Sequence, residues 1–123
     1  MVTGTIDFQL LAGAGSLPKR FASGKAIFEE GSKGDRMYVV CAGDVTIERS
    51  GKTLETLSSG DIFGEMAVID GRHRSATARA KTNCEVAPIS QKAFLALVSE
   101  TPLFALTVMH NLADRLRRAN ERS

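Results

Sequence analysis

Gly60-Asp-Ile-Phe-Gly-Glu-Met-Ala-Val-Ile-Asp-Gly-Arg-His-Arg-Ser-Ala-Thr-Ala78 is the stretch of sequence that says most about the fold. Phe63-Gly64 ends a short strand, Glu65–Ile69 is long enough for about one helical turn, and Asp70-Gly71 marks a turn. Arg74-Ser75 then enters the next strand. A strand that gives way to a glycine turn and a helix start gathers unpaired backbone N–H groups at one point, so this stretch predicts an anion site.

The side chains of this stretch have the chemistry needed to bind a ribose phosphate. The guanidinium of Arg74 can hold two phosphate oxygens at once, and the hydroxyl of Ser75 can add a third contact. Glu65 would repel an anion, but an ionised carboxylate accepts hydrogen bonds and can therefore bind a sugar hydroxyl. Gly64 lets the backbone approach a ligand closely. We therefore predict that these side chains surround one small hollow.

Short segments with β-branched and aromatic character lie on both sides of this stretch and are separated by glycines. Val45–Glu48 alternates apolar and polar residues, as a half-buried strand does, and Ser50-Gly51-Lys52 indicates a hairpin turn. Many short strands with regular turns indicate an antiparallel sandwich or barrel. Strands are predicted at Ala26–Phe28, Arg36–Cys41, Val45–Arg49, Thr53–Leu57, Ile62–Phe63, Ala76–Ala80 and Cys84–Ile89.

Helical patterns flank the strands at both ends of the sequence. Asp7–Ala14 is predicted as a short helix that Asp7 caps and Gly15 ends. After the strands, Ser90 can cap a helix over Gln91–Ser99. The predicted fold is therefore mainly β with flanking helices. It is a jelly-roll-type β-barrel with a short N-terminal helix, a short helix in the stretch quoted above, and two C-terminal helices.

The last helix has a regular apolar pattern. It is predicted to begin at Thr101-Pro102, a cap residue followed by proline at the first helical position, and to run to about Asn120. Apolar residues recur at alternating spacings of four and three positions and form one stripe along the helix. The stripe consists of Ala105, Met109, Leu112, Leu116 and Ala119, and it is widened by Phe104 and Val108. The opposite side carries Asn111, Asp114, Arg115 and Arg118. The stripe can pack on the barrel, or it can pair two copies of the chain.

The composition is that of one globular domain. The chain has 123 residues, of which 43% are hydrophobic and 24% charged, so residues 1–123 are predicted to form a single domain. Within it, residues 1–18 are the N-terminal helical segment, 19–89 the barrel with the predicted anion-binding stretch at 63–77, and 90–123 the C-terminal helices. The net charge of +2 is too small to indicate nucleic-acid binding. No apolar run approaches the ~20 residues of a membrane span.

Targeting and redox signals favour the cytoplasm. Met1–Asp7 lacks the basic flank and apolar stretch of a signal peptide. Cys41 and Cys84 have no CxxC spacing and no nearby histidine, so they are interpreted as two buried free thiols in a reducing compartment.

These residues resemble the cyclic-nucleotide-binding family, which includes bacterial catabolite activators, kinase regulatory subunits and cyclic-nucleotide-gated channels. The stretch Phe63–Ala67, followed by Arg74–Ala78, is similar to the phosphate-binding cassette of that family. The similarity covers roughly Phe21 to Asn120. It includes Glu30-Gly31 through Gly34-Asp35, Met37–Val40 and Ala42-Gly43, while Arg79–Ala87 resembles the catabolite activators in particular.

The resemblance implies a role for each matching residue. Arg74 would bind the cyclic phosphate, the hydroxyl of Ser75 would add a second contact to it, and Glu65 would bind the ribose 2′-hydroxyl. The candidate binding residues are Phe63, Gly64, Glu65, Met66, Ala67, Arg74, Ser75, Ala76 and Thr77. In this family the last helix often covers the base as a lid, for which the candidates are Arg115, Arg118, Ala119 and Asn120. No aromatic residue follows Phe104, so the sequence departs from members that cap the base with an aromatic side chain.

We therefore expect a sensor domain that binds a 3′,5′-cyclic nucleotide, cAMP first and cGMP second, and repositions its last helix without chemistry. The sequence shows no nucleophile with an adjacent base, so no enzyme activity is expected, and no metal or cofactor beyond the nucleotide. The chain stops where a catabolite activator would begin its DNA-binding domain. The expected partners are therefore the nucleotide, an unidentified protein effector and, through the last helix, a second copy, with no nucleic acid and no membrane.

Two alternatives from other functional classes remain. One is a scaffold that keeps the fold but binds no nucleotide and acts through protein contacts. The other is a cupin-like metal enzyme, which requires a cluster of histidine and carboxylate ligands that the sequence lacks, since it has only two histidines.

Overall fold

Antiparallel strands form two four-stranded sheets that pack face to face. The structure is a computed structural model and describes residue 6 and residues 8–122, apart from the side chain of residue 122. The strands are β1 (Lys19–Phe21), β2 (Ala26–Phe28), β3 (Arg36–Ala42), β4 (Val45–Arg49), β5 (Lys52–Leu57), β6 (Ile62–Phe63), β7 (Thr77–Ala80) and β8 (Cys84–Ser90). Their orders are β1-β8-β3-β6 and β2-β7-β4-β5. Within the described residues they do not close into one ring, but the arrangement is jelly-roll-like, and the predicted fold class is confirmed.

Helices lie before, within and after the strands. They are α1 (Phe8–Gly13), α2 (Met66–Ile69), α3 (Gln91–Glu100) and α4 (Leu103–Arg122). The predicted Ser90 cap of α3 is confirmed, since the backbone N–H of Ala93 donates to Ser90 Oγ at 3.1 Å. The predicted cap of α1, Asp7, lies outside the described residues. In this part of the chain no single helix is long and apolar enough to cross a membrane, and α3 and α4 reach that length and hydropathy only together, across a 118° bend.

The hairpin between β4 and β5 sets the pairing next to its turn, and a register shift changes the pairing further along the two strands. Its two-residue turn, Ser50-Gly51, has positive φ angles of 52° and 79°, which match the right-handed twist of the flanking strands. After a register shift between Glu48 and Ile47, Ile47 lies opposite Glu55. Residues directly opposite each other project from the same face of a sheet, so these two side chains share one face.

β3 contributes to two apolar cores because its side chains alternate between the two faces of its sheet. Val40 lies between the two sheets, whereas Val39 lies under the helices. The core between the sheets contains Val40, Val45, Leu57, Phe63, Ala78, Ala80, Cys84 and Val86. The core under the helices contains Ile6, Leu11, Met37, Val39, Ile62, Val68, Ala87, Ile89, Leu97, Phe104 and Val108.

α4 packs on the sheets through part of its predicted apolar stripe together with polar residues beside it. Phe104 and Val108 are buried, and Asn111, which was placed on the polar side, is only 6% exposed beside them. Met109 and Leu116, in the predicted stripe, are 59% and 64% exposed. The stripe therefore packs on the sheets only in part, through Phe104, Val108 and Leu112, while other members of it stay exposed. The strand edge under α4 presents backbone and carboxylate groups that need polar partners, so the contact face of the helix is partly polar.

Candidate functional site

A cavity of about 120 Å³ opens where β6 gives way to α2. Eight of the nine candidate binding residues line it, namely Phe63, Gly64, Glu65, Met66, Ala67, Arg74, Ser75 and Ala76. The ninth, Thr77, is not among the lining residues, and its hydroxyl accepts a hydrogen bond from the backbone N–H of Glu30 at 2.9 Å. Residues that lie ten positions apart in the chain, such as Gly64 and Arg74, therefore meet around one hollow.

Arg74 is the most deeply buried cation of this site, with 7% of its surface exposed. Its Nη1 donates to the carbonyl oxygen of Gly64 at 2.9 Å and its Nη2 to that of Arg36 at 2.7 Å. Its guanidinium carbon lies 4.0 Å from the centre of the Phe28 ring, a cation–π contact. Its Nε is buried and has no hydrogen-bond acceptor among the described residues.

The positive charge of Arg74 is compensated only in part. Burial lowers the pKa of Arg74, because it removes the guanidinium from water, while Tyr38, Asp35 and Glu65 act in the opposite direction. None of these groups forms an ion pair with Arg74, although the described residues include seven ion pairs between an arginine and a carboxylate. A buried charge without a counter-ion is costly, so an anion that entered the cavity would relieve this cost.

Two glycines make room for the guanidinium of Arg74. A Cβ at Gly64 would lie 2.7 Å from Arg74 Nη1, and a Cβ at Gly34 would lie 2.3 Å from Arg74 Nε. Gly64 also has a φ of +72°, which side chains rarely allow. The glycine turn that the sequence shows is thus required both by backbone geometry and by the neighbouring arginine.

Glu65 precedes α2 and occupies its N-cap position. Its carbonyl oxygen accepts from the backbone N–H groups of Val68 and Ile69 at 3.0 Å each, but its side chain makes no capping hydrogen bond. The carboxylate is therefore not committed to the helix. The first N–H groups of any helix have no intrahelical acceptor, so Met66 and Ala67 present donors at the cavity wall.

Arg115 is the one lid candidate that lines the cavity. It forms a two-pronged ion pair with Glu55, with Nε to Oε1 at 2.9 Å and Nη2 to Oε2 at 3.0 Å, and its Nη1 donates to the carbonyl oxygen of Ile62. Burial acts to lower the pKa of Arg115, but the hydrogen bond and charge of Glu55, together with the charges of Glu65 and Asp61, outweigh it, so the pKa is raised overall. Arg118 lies 3.8 Å from a carboxylate oxygen of Asp61, away from the lining. Ala119 and Asn120 are also not among the lining residues.

Five further residues belong to the site, and three of them, Phe28, Ile47 and Glu55, were not indicated by the sequence. Arg72 and His73 line the cavity at its rim, Phe28 lies under Arg74, and Ile47 forms part of the wall. Glu55 holds Arg115. The position of Phe28 depends on the pairing of β2 with β7, for which the sequence carries no local signal. The turn alone could not have shown that Glu55 shares a face with Ile47, because it would place Ile47 opposite Leu54, and a register shift between Ile47 and Glu48 brings in Glu55 instead.

The described part of the chain contains no group of three or more His, Cys, Asp or Glu side chains that could hold a metal ion. A cupin-like enzyme requires such a group.

The fold is a jelly-roll-like sandwich, and its cavity contains a buried arginine beside a glycine turn and a single helical turn. Together these features define a class of phosphate-binding domain. The chain matches the family model of the cyclic nucleotide-binding domain over residues 18–101, and it belongs to that family. It is 36% identical over 105 residues to the cyclic AMP receptor protein of Thermus thermophilus, an alignment that covers 81% of this chain and 49% of that protein. The chain spans about half the length of the curated relatives it matches.

Solved structures agree with this assignment. The catabolite activator protein of Thermus thermophilus superimposes with a TM-score of 0.76 at 31% identity and covers 95% of this chain and 58% of its own. A structure described as Sp-2Cl-cAMPS bound to a PKAR CBD2 domain superimposes with a TM-score of 0.67 at 26% identity, over 85% of this chain and 69% of its own. The predicted family is confirmed by these similarities.

Proposed function

We propose that the protein binds a 3′,5′-cyclic nucleotide in the cavity between β6, α2 and β7. The phosphate would lie against Arg74 and Ser75, and the ribose 2′-hydroxyl would donate to Glu65. The backbone N–H groups at the start of α2 would complete the phosphate contacts. No bond is made or broken in this function, so the protein would act as a sensor and not as an enzyme.

The observation that carries this proposal is that Arg74 has no carboxylate partner in the part of the chain that the structure describes. The other two arginines of the cavity each have one: Arg72 pairs with Asp70 at 3.1 Å and Arg115 with Glu55 at 2.9 Å. A guanidinium has five N–H donors, and the two carbonyl contacts of Arg74 use two of them. The site is therefore built around a buried cation that can still receive an anion.

We propose cAMP as the first ligand and cGMP as the second. The support for cAMP is the likeness to a protein named cyclic AMP receptor protein and to a regulatory domain solved with a cAMP analogue. Ser75 lines the cavity and can hydrogen bond to groups of either nucleotide, so it does not separate them.

We also propose that the ligand shifts α4, which would report occupancy to a protein effector. α4 reaches the cavity through Arg115, and α2 is a single turn that carries Met66 and Ala67 in the cavity wall. A ligand that contacts both helices would favour the arrangement in which those contacts are made, by as much as its affinities for the two arrangements differ. The free thiols Cys41 and Cys84 favour the cytoplasm as the place of action.

A second copy of the chain is the partner that we propose for the exposed side of α4. Met109 and Leu116 project from that side, and Leu106 is also exposed on this helix. Exposed apolar residues at helical spacing are typical of a helix that pairs with another helix.

Calorimetric titration of cAMP and cGMP into the protein tests the proposal, with Arg74→Lys as the variant and Arg79→Lys as its matched control. Arg79 lies on β7 and donates to the carbonyl oxygen of Gly24 at 3.0 Å, but it is not a lining residue. Lysine keeps the positive charge but lacks the planar guanidinium that can bind two phosphate oxygens at once. Arg74→Lys should therefore lower the affinity for the nucleotide by about tenfold or more, while Arg79→Lys leaves it unchanged. If the unmodified protein bound neither nucleotide, the chain would instead be the non-binding scaffold.

A further inference from the structure

The ion pair between Glu55 and Arg115 joins β5 to α4 beside the cavity. Only 18% of the Glu55 side chain and 14% of the Arg115 side chain are exposed. Both carboxylate oxygens of Glu55 accept from Arg115, a two-pronged arrangement that fixes the plane of the guanidinium as well as its position. The contact of Arg115 Nη1 with the carbonyl oxygen of Ile62 holds the group from another direction. Arg115 is therefore a fixed element of the cavity wall.

Glu55 does not line the cavity itself, and it lies two strands away from the start of β7, where Ser75 and Ala76 line it. Ile47 lines the cavity, and Glu55 is its cross-strand partner on the same face of the sheet. The strand order in this part of the sheet is β7-β4-β5. Two steps between strands correspond to about 10 Å. A nucleotide whose phosphate is at Arg74 would thus extend over Ile47 towards the Glu55–Arg115 pair.

Arg115 does not have to leave Glu55 in order to contact a ligand. A guanidinium carries five N–H donors, and the two contacts with Glu55 and the one with Ile62 use three of them. The other two N–H donors remain available for a ligand, because Arg115 lines the cavity. Because Glu55 already fixes the guanidinium, a hydrogen bond from Arg115 to the ligand would cost little further side-chain entropy.

We propose that Glu55 is a positioning residue for nucleotide binding, which acts by holding Arg115 as a second cationic contact for the ligand. This inference rests on the proposed function, since it concerns the same cavity. It adds a residue from β5, outside the cassette, to those that set the affinity. It also means that the docking of α4 and the affinity for the nucleotide depend on the same ion pair.

The sign of the effect separates positioning from simple electrostatics. Removal of a negative charge near an anion site, taken alone, strengthens anion binding. Loss of the two contacts with Glu55 releases Arg115 from its fixed orientation and weakens binding. A fall in affinity after neutralisation of Glu55 therefore cannot come from the change in charge.

The test is a titration of cAMP and cGMP into Glu55→Gln, Arg115→Ala and the double variant, with Glu48→Gln as the matched control. Glu48 lies on the neighbouring strand and pairs with Arg79 at 3.2 Å, but it does not line the cavity. We expect about a fivefold to tenfold loss of affinity in Glu55→Gln and no loss in Glu48→Gln. We expect the double variant to bind as Arg115→Ala does, because Glu55 acts through Arg115.

Glu55→Asp provides a second variant that keeps the charge but shortens the side chain, so it should also weaken binding. Unchanged or stronger binding in Glu55→Gln and Glu55→Asp would overturn the proposal, as would losses that add in the double variant. Circular dichroism and thermal unfolding report whether each variant folds. If the unmodified protein bound no nucleotide, the proposed function itself would fail, and that result would precede any comparison of variants.

Discussion

Arg74 Nη1 lies 2.9 Å from the carbonyl oxygen of Gly64, so the buried cation is tied to the turn that begins its own binding site. The backbone of Arg74 is also fixed, since its N–H donates to the carbonyl oxygen of Ser32 at 2.8 Å. The loop before β3 and the turn before α2 are thus both attached to one residue. Arg74 stabilises the fold in addition to the role that we propose for it with the ligand.

Replacement of Arg74 by alanine should therefore lower stability as well as remove binding. The change would leave the carbonyl oxygens of Gly64 and Arg36 without a donor in a buried place, at a cost of about 2 kcal/mol. Urea unfolding of Arg74→Ala beside Arg79→Ala measures this difference. An unchanged urea midpoint would show that water replaces the guanidinium at both carbonyls.

Alanine at Gly64 should damage the site more than alanine at Gly71. Both glycines have similar φ angles, +72° and +69°, so the backbone strain is matched. Only at Gly64 does the added Cβ meet Arg74, at 2.7 Å, because nothing lies within 4 Å of a Cβ at Gly71. We expect a similar loss of about 1 kcal/mol from strain in both variants and a loss of nucleotide affinity in Gly64→Ala alone. Equal nucleotide affinities in the two variants would mean that Arg74 can move away from the added Cβ without a loss of binding.

The local parts of this structure could be predicted from the sequence, since they depend on residues close together in the chain. The Ser90 cap, the Ser50-Gly51 turn and the glycine turn before α2 all follow from local backbone preferences. The cassette could be predicted as well, because Gly64 and Arg74 lie on either side of one short helix and its turn. β1 was not predicted because its Lys19 and Arg20 are exposed and its three residues show no apolar alternation.

The contact face of α4 could not be predicted from apolar periodicity alone. The helix is held by Phe104 and Val108 together with polar contacts from Asn111 and Arg115. The partners of these polar residues lie about 50 to 60 positions earlier in the chain. Periodicity reports which side of a helix is apolar, and it carries no information about buried polar groups on another element that require a partner.

Asn111 should contribute to stability without contacting the ligand. Its Oδ1 accepts from the backbone N–H of Ile62 at 3.1 Å, and its Nδ2 donates to Asp61 Oδ1 at 3.2 Å. Asn111→Ala would leave a buried N–H unpaired and should lower the free energy of unfolding by about 2 kcal/mol. Thr107→Ala is the matched control on the same helix, because its hydroxyl donates only to the carbonyl oxygen of Leu103 within α4. If chemical denaturation gave equal midpoints for the two variants, the Asn111 contacts would be replaceable by water.

The two thiols should make the folded state less stable in alkaline solution. Burial raises the pKa of Cys41 and of Cys84, so both stay protonated in the folded state at pH values where they ionise in the unfolded chain. The unfolded thiol has a pKa of about 8.5. Cys84 is buried as predicted, whereas Cys41 is only half-buried. The contribution of each thiol is complete below about pH 8.5 and is lost as the pH rises further. Urea midpoints from about pH 7 to 9.5 should fall less steeply for Cys41→Ala/Cys84→Ala than for the unmodified protein, and parallel declines would assign the effect to other groups.

Self-association through α4 should be abolished by a charge in its exposed stripe. Leu116 is 64% exposed on α4 and Leu95 is 60% exposed on α3, so the two leucines are matched in exposure but lie on different helices. In a helix pair, Leu116→Glu would bury two carboxylates against each other, whereas Leu95→Glu would leave the charge in water. We expect sedimentation velocity to show a dimer for the unmodified protein and Leu95→Glu, and a monomer for Leu116→Glu. A monomer in all three samples, or a dimer that Leu116→Glu does not disturb, would exclude this stripe as the interface, and the exposed side of α4 would then be the surface to test against an effector protein.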